Sequence, residues 1–180
     1  MRIAVSGTHC NGKSTLIDEF LQVHPQFVHE PEPYTVLVEE FGEEFSEEPC
    51  VEDFYRQLQF NIDRLEQRSR EAQVIYERCP IDFLAYIDVL DSQAAQASIG
   101  LVSEAIRNLD LILYLPVDPS LDVPRDDYPK LRESVDRRLS AILNEDEFGI
   151  ISSCGVVVVE ATGSTKQRLH TLEGALTSSL

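Results

Sequence analysis

The stretch GTHCNGKST at residues 7–15 follows directly on the short apolar run RIAV. It fits the pattern G-x-x-x-x-G-K-[ST], in which Gly7 and Gly12 are the glycines and Lys13 and Ser14 complete the pattern. Glycine at both positions allows backbone angles at which the loop N–H groups converge on phosphate oxygens. A helix that begins after the loop adds the positive end of its dipole. The stretch therefore predicts a phosphate-binding loop, or P-loop, between a strand and a helix.

The P-loop predicts a nucleoside triphosphate and its magnesium as ligands. Lys13 reaches the β- and γ-phosphates and the Ser14 hydroxyl ligates the metal, so ATP and Mg²⁺ are the expected cofactors, with ATP and GTP not distinguished by the sequence. His9 and Cys10 fill variable positions and are interpreted as exposed loop residues without a catalytic role. The residues expected to contact the nucleotide are Gly7, Thr8, His9, Cys10, Asn11, Gly12, Lys13, Ser14 and Thr15.

Short apolar runs recur along the chain and are continuous rather than alternating, which is typical of strands buried on both faces of a parallel sheet. These runs are Ile3–Val5, Phe27–His29, Val74–Tyr76, Leu111–Leu115 and Val156–Val159. Stretches with helical spacing separate them: Lys13–Val23, Glu52–Arg70, Pro80–Leu90, Ala94–Asn108, Tyr128–Leu143 and Thr165–Leu176. The alternation predicts a single α/β domain over residues 1–180. We expect a three-layer P-loop NTPase fold with a five-stranded parallel sheet, in the order 2-3-1-4-5, and a helical lid.

Charge and composition narrow the classes of partner. The chain has 32 acidic and 15 basic residues, a formal net charge of −17. Such a surface repels nucleic-acid phosphates and anionic membranes, so neither is expected as a partner. No apolar run approaches the ~20 residues of a membrane span, and we read no signal peptide. Four scattered cysteines indicate a reducing cytoplasm. The oligomeric state is left open, with a homodimer as one option.

The segment FVHEPEPY, residues 27–34, follows the second predicted strand. Open α/β sheets bind ligands at the carboxyl ends of their strands, so Glu30 is placed to accept a proton from an acceptor hydroxyl. Glu32 is the competing candidate, and an ordinary acidic turn is the alternative. The segment resembles the deoxynucleoside kinases, which carry Glu-Pro after strand two. The resemblance implies that Glu30 contacts the acceptor and acts as the base toward a sugar hydroxyl.

A charged pair ends the third predicted strand in IYERCPIDFLAY, residues 75–86. Buried charges are costly unless they are used or paired. We therefore expect Arg78 to bind the transferring phosphoryl group or acceptor, and Glu77 to hold magnesium or bind the acceptor sugar. The stretch resembles the Glu-Arg-Ser motif of deoxynucleoside kinases and the Asp-Arg counterpart of thymidylate kinases. It is still more similar to the group that includes ribosylnicotinamide kinase domains. Cys79 replaces the usual serine, and Asp82 is either a helix-start residue or a site residue.

A third of the basic residues lie in segment 122–143, after the fourth predicted strand: Arg125, Lys130, Arg132, Arg137 and Arg138. P-loop kinases place a lid helix here, and a closing lid excludes water and neutralises charge in the transition state. The sequence thus predicts a catalytic lid arginine, with Arg125 and Arg138 as the candidates selected. The alternative is a helix surface on which each arginine pairs with a neighbour such as Glu133 or Asp136.

Two weaker matches complete the candidate site. The turn ATGS at residues 161–164 follows the fifth predicted strand, where nucleoside kinases pass a loop along the nucleotide base, and Gly163 is the expected contact. The alternative is a plain turn before a helix. Gln57 and Gln59 lie on the helix that deoxynucleoside kinases use to read the acceptor base, and either amide is able to pair with a base edge.

These features predict a transferase of the P-loop kinase type, which transfers the γ-phosphoryl group of ATP to a small-molecule acceptor, most readily a nucleoside or nucleotide. Lys13 and Mg²⁺ would neutralise the triphosphate, while Glu30 or Glu77 positions or deprotonates the acceptor. The acidic surplus favours an uncharged acceptor. Two alternatives stay open: a nucleotide-binding regulatory ATPase, and a kinase of an unrelated metabolite. The absence of a separate D-x-x-G motif after strand three counts against a GTPase-like switch.

Overall fold

The continuous apolar runs form one parallel sheet in the computed structural model, which describes residues 1–68, 73–118 and 128–178. The strands are β1 (Arg2–Ser6), β2 (Val28–Glu30), β3 (Val74–Glu77), β4 (Leu111–Tyr114) and β5 (Val157–Glu160). They pair in parallel in the order β2-β3-β1-β4-β5. The predicted fold class and sheet order are confirmed.

Helices connect the strands and cover both faces of the sheet. They are α1 (Lys13–Val23), α2 (Pro33–Glu39), α3 (Val51–Gln67), α4 (Pro80–Leu90), α5 (Ser92–Ile106), α6 (Pro129–Leu143), α7 (Ile150–Cys154) and α8 (Thr165–Ser178). The bounds of α1 and α4 coincide with the prediction, whereas α2 and α7 were not predicted. Within the described ranges, no helix combines the length and apolarity that a membrane span needs.

Successive side chains of β1 point to opposite faces of the sheet, and the core is accordingly divided into two layers. Ile3 and Val5 pack with Leu16 and Phe20 on the face covered by α1 and α8. Ala4 faces the other side, in a larger cluster built mainly from α3 to α6. Every residue named here is fully buried. Such two-sided burial explains the continuous apolar runs of β1, β3 and β4. The edge strands β2 and β5 are partly exposed, so the prediction of burial on both faces is wrong for them.

The register of the sheet brings the ends of its central strands to one edge. Val5 of β1 pairs with Glu77 of β3, and Ser6 pairs with Tyr114 of β4. The segments that follow these strands therefore emerge side by side at the carboxyl edge, where open α/β sheets bind ligands. The P-loop follows the middle strand and lies between the other two connections.

Candidate active site

The P-loop has a backbone that depends on its glycines. Gly7 has φ 148°, and a Cβ there would lie 2.7 Å from the main-chain oxygen of Leu115. Gly12 has φ 76° and precedes the first residue of α1. The loop is also tied to β4, because the Asn11 side-chain amide donates to the Leu115 carbonyl. These contacts position the loop amides at the positive end of α1, as the motif predicts.

Lys13 folds back over the loop that precedes it. Its Nζ donates to the main-chain oxygen of Thr8 at 2.8 Å, and the side chain is buried. Burial lowers the pKa of Lys13 to about 8, and the nearby charge of Arg78 acts in the same direction. The lysine cation is therefore poorly compensated in this state, which favours an anionic ligand beside it.

Ser14 and Glu77 lie together at the start of α1. The Ser14 hydroxyl donates to Oε1 of Glu77 at 2.8 Å. A hydroxyl and a carboxylate are hard oxygen donors, and Mg²⁺ in phosphate sites needs few protein ligands because it keeps water and phosphate oxygens. The donor set therefore fits Mg²⁺, and the assignment of both residues as ligands stays a prediction.

Arg78 enters the site from an unusual backbone conformation, with φ 75° for a residue that is not glycine. Its Nη1 donates to the Gly7 carbonyl at 2.9 Å, and its Nε pairs with the Glu32 carboxylate. The Tyr86 ring lies 5.7 Å from the guanidinium carbon. Burial opposes the arginine charge, but Glu32, Tyr86 and Asp82 outweigh burial and raise its pKa.

Glu30 and Glu32 occupy different environments. Glu30, the predicted base, ends β2 and pairs with Arg68 and with Arg64, whose Nε lies 3.8 Å from Oε2. Glu32 precedes α2 and pairs with Arg78 at the P-loop. Burial opposes ionisation of Glu32, but Arg78 and Lys13 together lower its pKa to about 2. The structure therefore brings Glu32, not Glu30, to the P-loop.

An aromatic cavity of about 360 Å³ opens beside the P-loop. His9, Glu32 and Arg78 line it from the P-loop side, and Gln57 lines it from α3. Its aromatic wall consists of Tyr34, Phe45, Phe54, Phe83, Tyr86 and Tyr128. Gln59 does not line it, because this residue is exposed and its amide donates to Asp63. Of the two glutamines singled out for base recognition, the structure places only Gln57 at the cavity.

His9 is not the exposed loop residue that the sequence predicts, so that prediction is wrong. It is half-buried, and its Nδ1 lies 2.9 Å from the Tyr86 hydroxyl, which also accepts a bond from the His9 amide. The Tyr86 ring in turn stacks on Phe54, with ring centroids 4.4 Å apart. Cys10, the next loop residue, is exposed as expected. The P-loop motif does not predict a role for His9, because residue 9 occupies a variable position of the motif. Its partner Tyr86 lies on α4, far along the chain.

The lid arginines separate into different environments on α6. Arg132 is buried, and its Nε donates to the main-chain oxygen of His9 at 3.1 Å. Arg138, the predicted candidate, pairs with Asp88 and Glu147 instead. The structure therefore brings Arg132 to the P-loop and leaves Arg138 in an ion-pair cluster elsewhere. Arg125 and the first part of the predicted lid segment lie outside the described residues.

Two residues lie on the β5 side of the P-loop. Gly163 follows β5 with φ 82°, and a Cβ there would lie 2.5 Å from Oε1 of Gln167. Arg168, on the first turns of α8, donates from Nη1 to the main-chain oxygen of Asn11 at 2.8 Å. The turn ATGS indicates Gly163, but no sequence pattern indicates Arg168, whose contact spans 157 positions of the chain.

Asp82 is fully buried and links the P-loop to α4. Its Oδ1 accepts a bond from the Gly7 amide at 2.8 Å, and its Oδ2 accepts one from the Cys79 amide at 2.9 Å. The bond from Cys79 caps the start of α4, so the prediction of a helix-start residue describes Asp82, and the bond from Gly7 connects it to the P-loop. Arg78 lies 3.7 Å from the same carboxylate and compensates its buried charge.

Replacing Asp82 with asparagine is expected to lower the free energy of unfolding by about 1–3 kcal/mol, because an amide leaves one buried N–H and Arg78 less well paired. Urea unfolding followed by circular dichroism measures this loss. Asp18→Asn on the exposed face of α1 is the matched control, with an expected change within about 0.5 kcal/mol. Equal unfolding midpoints for the two variants would show that Asp82 contributes nothing specific.

A protein-family model described as an AAA domain matches residues 2–168, nearly the whole chain. The chain belongs to this AAA-domain family. The match includes the P-loop, the cavity and Arg168. In sequence, no curated protein matches the chain.

Several solved structures share the fold of this AAA-domain chain. A NadR protein in complex with NR aligns with TM-score 0.71 and 19% identity, over 99% of this chain and 51% of NadR. A NadR complex with NAD and AMP-PNP aligns with TM-score 0.69 and 19% identity, over 99% of this chain and 49% of NadR. Deoxyadenosine kinase from M. mycoides with bound dATP aligns with TM-score 0.63 and 14% identity, over 98% of this chain and 99% of the kinase. The chain thus spans about half of NadR but the full kinase. At these identities the similarity establishes the P-loop fold alone.

Proposed function

We propose that this chain is an ATP-dependent kinase that transfers the γ-phosphoryl group to a hydroxyl of a nucleoside. One observation carries the proposal: Lys13, Arg78 and Glu32 meet where the P-loop opens into an aromatic cavity. The P-loop supplies a phosphate-binding site, and the cavity supplies room for a flat ring. The fold relatives support this function, because one is a deoxyadenosine kinase and another was solved in complex with NR.

In the proposed reaction the chain mainly positions its substrates and neutralises charge. The loop amides and Lys13 bind the β- and γ-phosphates, and Arg78 binds the oxygens of the transferring group. Glu32 orients the attacking hydroxyl and accepts its proton; its low pKa keeps the carboxylate ionised at neutral pH but also makes it a weak base. Mg²⁺, when bound through Ser14 and Glu77, supplies further neutralisation of phosphate charge. Arg132 would reach the phosphates from the lid.

The charges that line the cavity favour an acceptor without a phosphate group. Glu32, Glu47 and Asp53 line it together with Arg78, and Arg78 is already paired with Glu32. An acceptor phosphate would therefore meet more carboxylates than available cations. The rings of the wall offer stacking surfaces for a base, and Gln57 offers an amide for its edge. A nucleoside has a base that fits the aromatic wall and carries no phosphate. A nucleotide has the base but brings a phosphate into the acidic cavity.

The decisive experiment measures ATP consumption against a panel of nucleosides, their monophosphates and other small alcohols. We expect one nucleoside to stimulate consumption and to appear as its monophosphate, while the corresponding nucleotide does not act as acceptor. Slow hydrolysis that is indifferent to every compound would favour a regulatory ATPase. Stimulation by a nucleotide alone would contradict the assignment of the cavity.

Replacing Arg132 with methionine is expected to lower kcat by about 10²-fold, the usual effect of losing one donor to a transition-state charge. The Michaelis constants should change much less, because the lid contact matters most during transfer. Arg138→Met is the matched control on the same helix, with kcat expected within about twofold, since its partners are Asp88 and Glu147. A larger loss of kcat in the Arg138 variant would reverse the assignment.

A further inference from the structure

Arg168 has hydrogen-bonding capacity that the proposed reaction does not use. The residue is 4% exposed, and its Nη1 donates to the Asn11 carbonyl of the P-loop. Among the described residues, its Nε and Nη2 have no hydrogen-bond partner although both atoms are buried. Leaving donors of a charged group unsatisfied is costly, so a buried guanidinium with two such donors needs a partner such as a ligand.

Asp118 provides the nearby opposite charge. Burial lowers the pKa of Arg168, and the Asp118 carboxylate acts in the opposite direction. This aspartate follows β4, and Arg168 follows β5, so both residues lie on the same flank of the P-loop. A Cβ at Gly12 would lie 3.5 Å from Nη1 of Arg168, which places the guanidinium against the loop itself.

The sheet order determines which part of a bound nucleotide reaches this flank. The P-loop follows β1, in the middle of the sheet, and the cavity with Glu32 and Arg78 lies toward β2 and β3. The γ-phosphate must point toward that cavity for transfer to occur. The nucleoside end of the donor must therefore leave the P-loop on the opposite side, toward β4, β5 and Arg168.

We propose that Arg168 is a donor-binding residue whose Nε and Nη2 groups donate hydrogen bonds to the base or ribose of the nucleoside triphosphate. This inference rests on the proposed function, both for a triphosphate in the P-loop and for a γ-phosphate that points toward the cavity. It adds a contact that distinguishes a nucleoside triphosphate from a bare phosphate chain. Ring nitrogens, base carbonyls and ribose oxygens are all acceptors that suit a guanidinium.

The test compares dissociation constants of Mg·ATP and magnesium tripolyphosphate, measured by calorimetry on the full chain. Arg168→Met is expected to weaken ATP binding about tenfold or more, as for the loss of charged hydrogen bonds, and to leave tripolyphosphate binding within about twofold. Lys166→Met is the matched control, since it removes the same charge from an exposed position of α8, and both constants should stay unchanged.

Two outcomes would overturn the proposal. Unchanged ATP affinity in the methionine variant means that Arg168 does not contact the donor. Equal losses for ATP and tripolyphosphate mean that it acts only by holding the Asn11 carbonyl and the shape of the P-loop. If the methionine variant fails to fold, Arg168→Lys serves instead, with an expected selective loss of ATP affinity of about threefold. A wild-type chain that binds ATP but phosphorylates no nucleoside would refute the proposed function, whereas a selective loss of ATP affinity in Arg168→Met would still establish the donor contact.

Discussion

Replacing Lys13 with methionine is expected to lower phosphoryl transfer by about 10³-fold or more, because the variant loses a cation placed at the developing charge of the γ-phosphate. The fold should survive this change. Burial already penalises the lysine charge, as its pKa of about 8 indicates, and methionine fills the same volume. A coupled assay of product formation, run with urea unfolding of the same samples, separates lost catalysis from lost stability.

Lys130→Met is the control for this substitution, since it removes an exposed lysine at the start of α6. Its activity should equal that of the unaltered chain. If the Lys13 variant kept more than about a tenth of normal turnover while remaining folded, the P-loop would not be the site of phosphoryl transfer, and the proposed function would fail with it.

The second large effect is expected from Glu32→Gln, which should reduce turnover by about 10²–10⁴-fold and leave ATP affinity nearly unchanged. The glutamine keeps the size of the side chain but does not accept the hydroxyl proton. Single-turnover kinetics with the best acceptor measures the chemical step, and calorimetry measures ATP binding.

Glu30→Gln is the matched substitution two residues earlier. It should leave turnover within about threefold and lower the free energy of unfolding by about 1–3 kcal/mol, because Arg64 and Arg68 lose their buried partner. A collapse of turnover in the Glu30 variant, with normal turnover in the Glu32 variant, would restore the base role to the residue that the family resemblance indicates.

The fold was predictable from the sequence because its determinants are local. Five apolar runs mark the strands, and the P-loop pattern marks the turn between β1 and α1. The contact between Ser14 and Glu77 follows from motif and topology: Glu77 ends β3, and Ser14 lies at the start of the helix after the P-loop of the neighbouring strand β1. Motif and topology together determine positions of this kind.

The choice between Glu30 and Glu32 was not predictable, because it depends on one turn of backbone after a three-residue strand. Pro33 is a favoured first residue of a helix, and the unpredicted helix α2 begins there. Glu30 is left at the strand end beside the arginines of α3, while Glu32 turns to the P-loop.

The position of Arg132 at the P-loop has a signal in the sequence of α6. Arg132 lies three and seven positions before Val135 and Leu139, so it shares their buried face of α6. Arg138 lies at the edge of that face, three positions after Val135 and four before Ile142, and pairs with Asp88 and Glu147. Helical spacing places Arg132 nearer the centre of the buried face. For Arg168 there was no such signal, since its role depends on where the distant Asn11 carbonyl lies.

Helix α4 contacts the P-loop twice, through the Asp82 carboxylate on Gly7 and through the Tyr86 hydroxyl on His9. Tyr86 also forms part of the cavity wall. An acceptor that binds in the cavity as proposed would therefore contact the same helix that holds the P-loop. Any coupling between the two proposed sites through α4 would be reciprocal: the factor by which the acceptor changes the affinity for the donor equals the factor by which the donor changes the affinity for the acceptor.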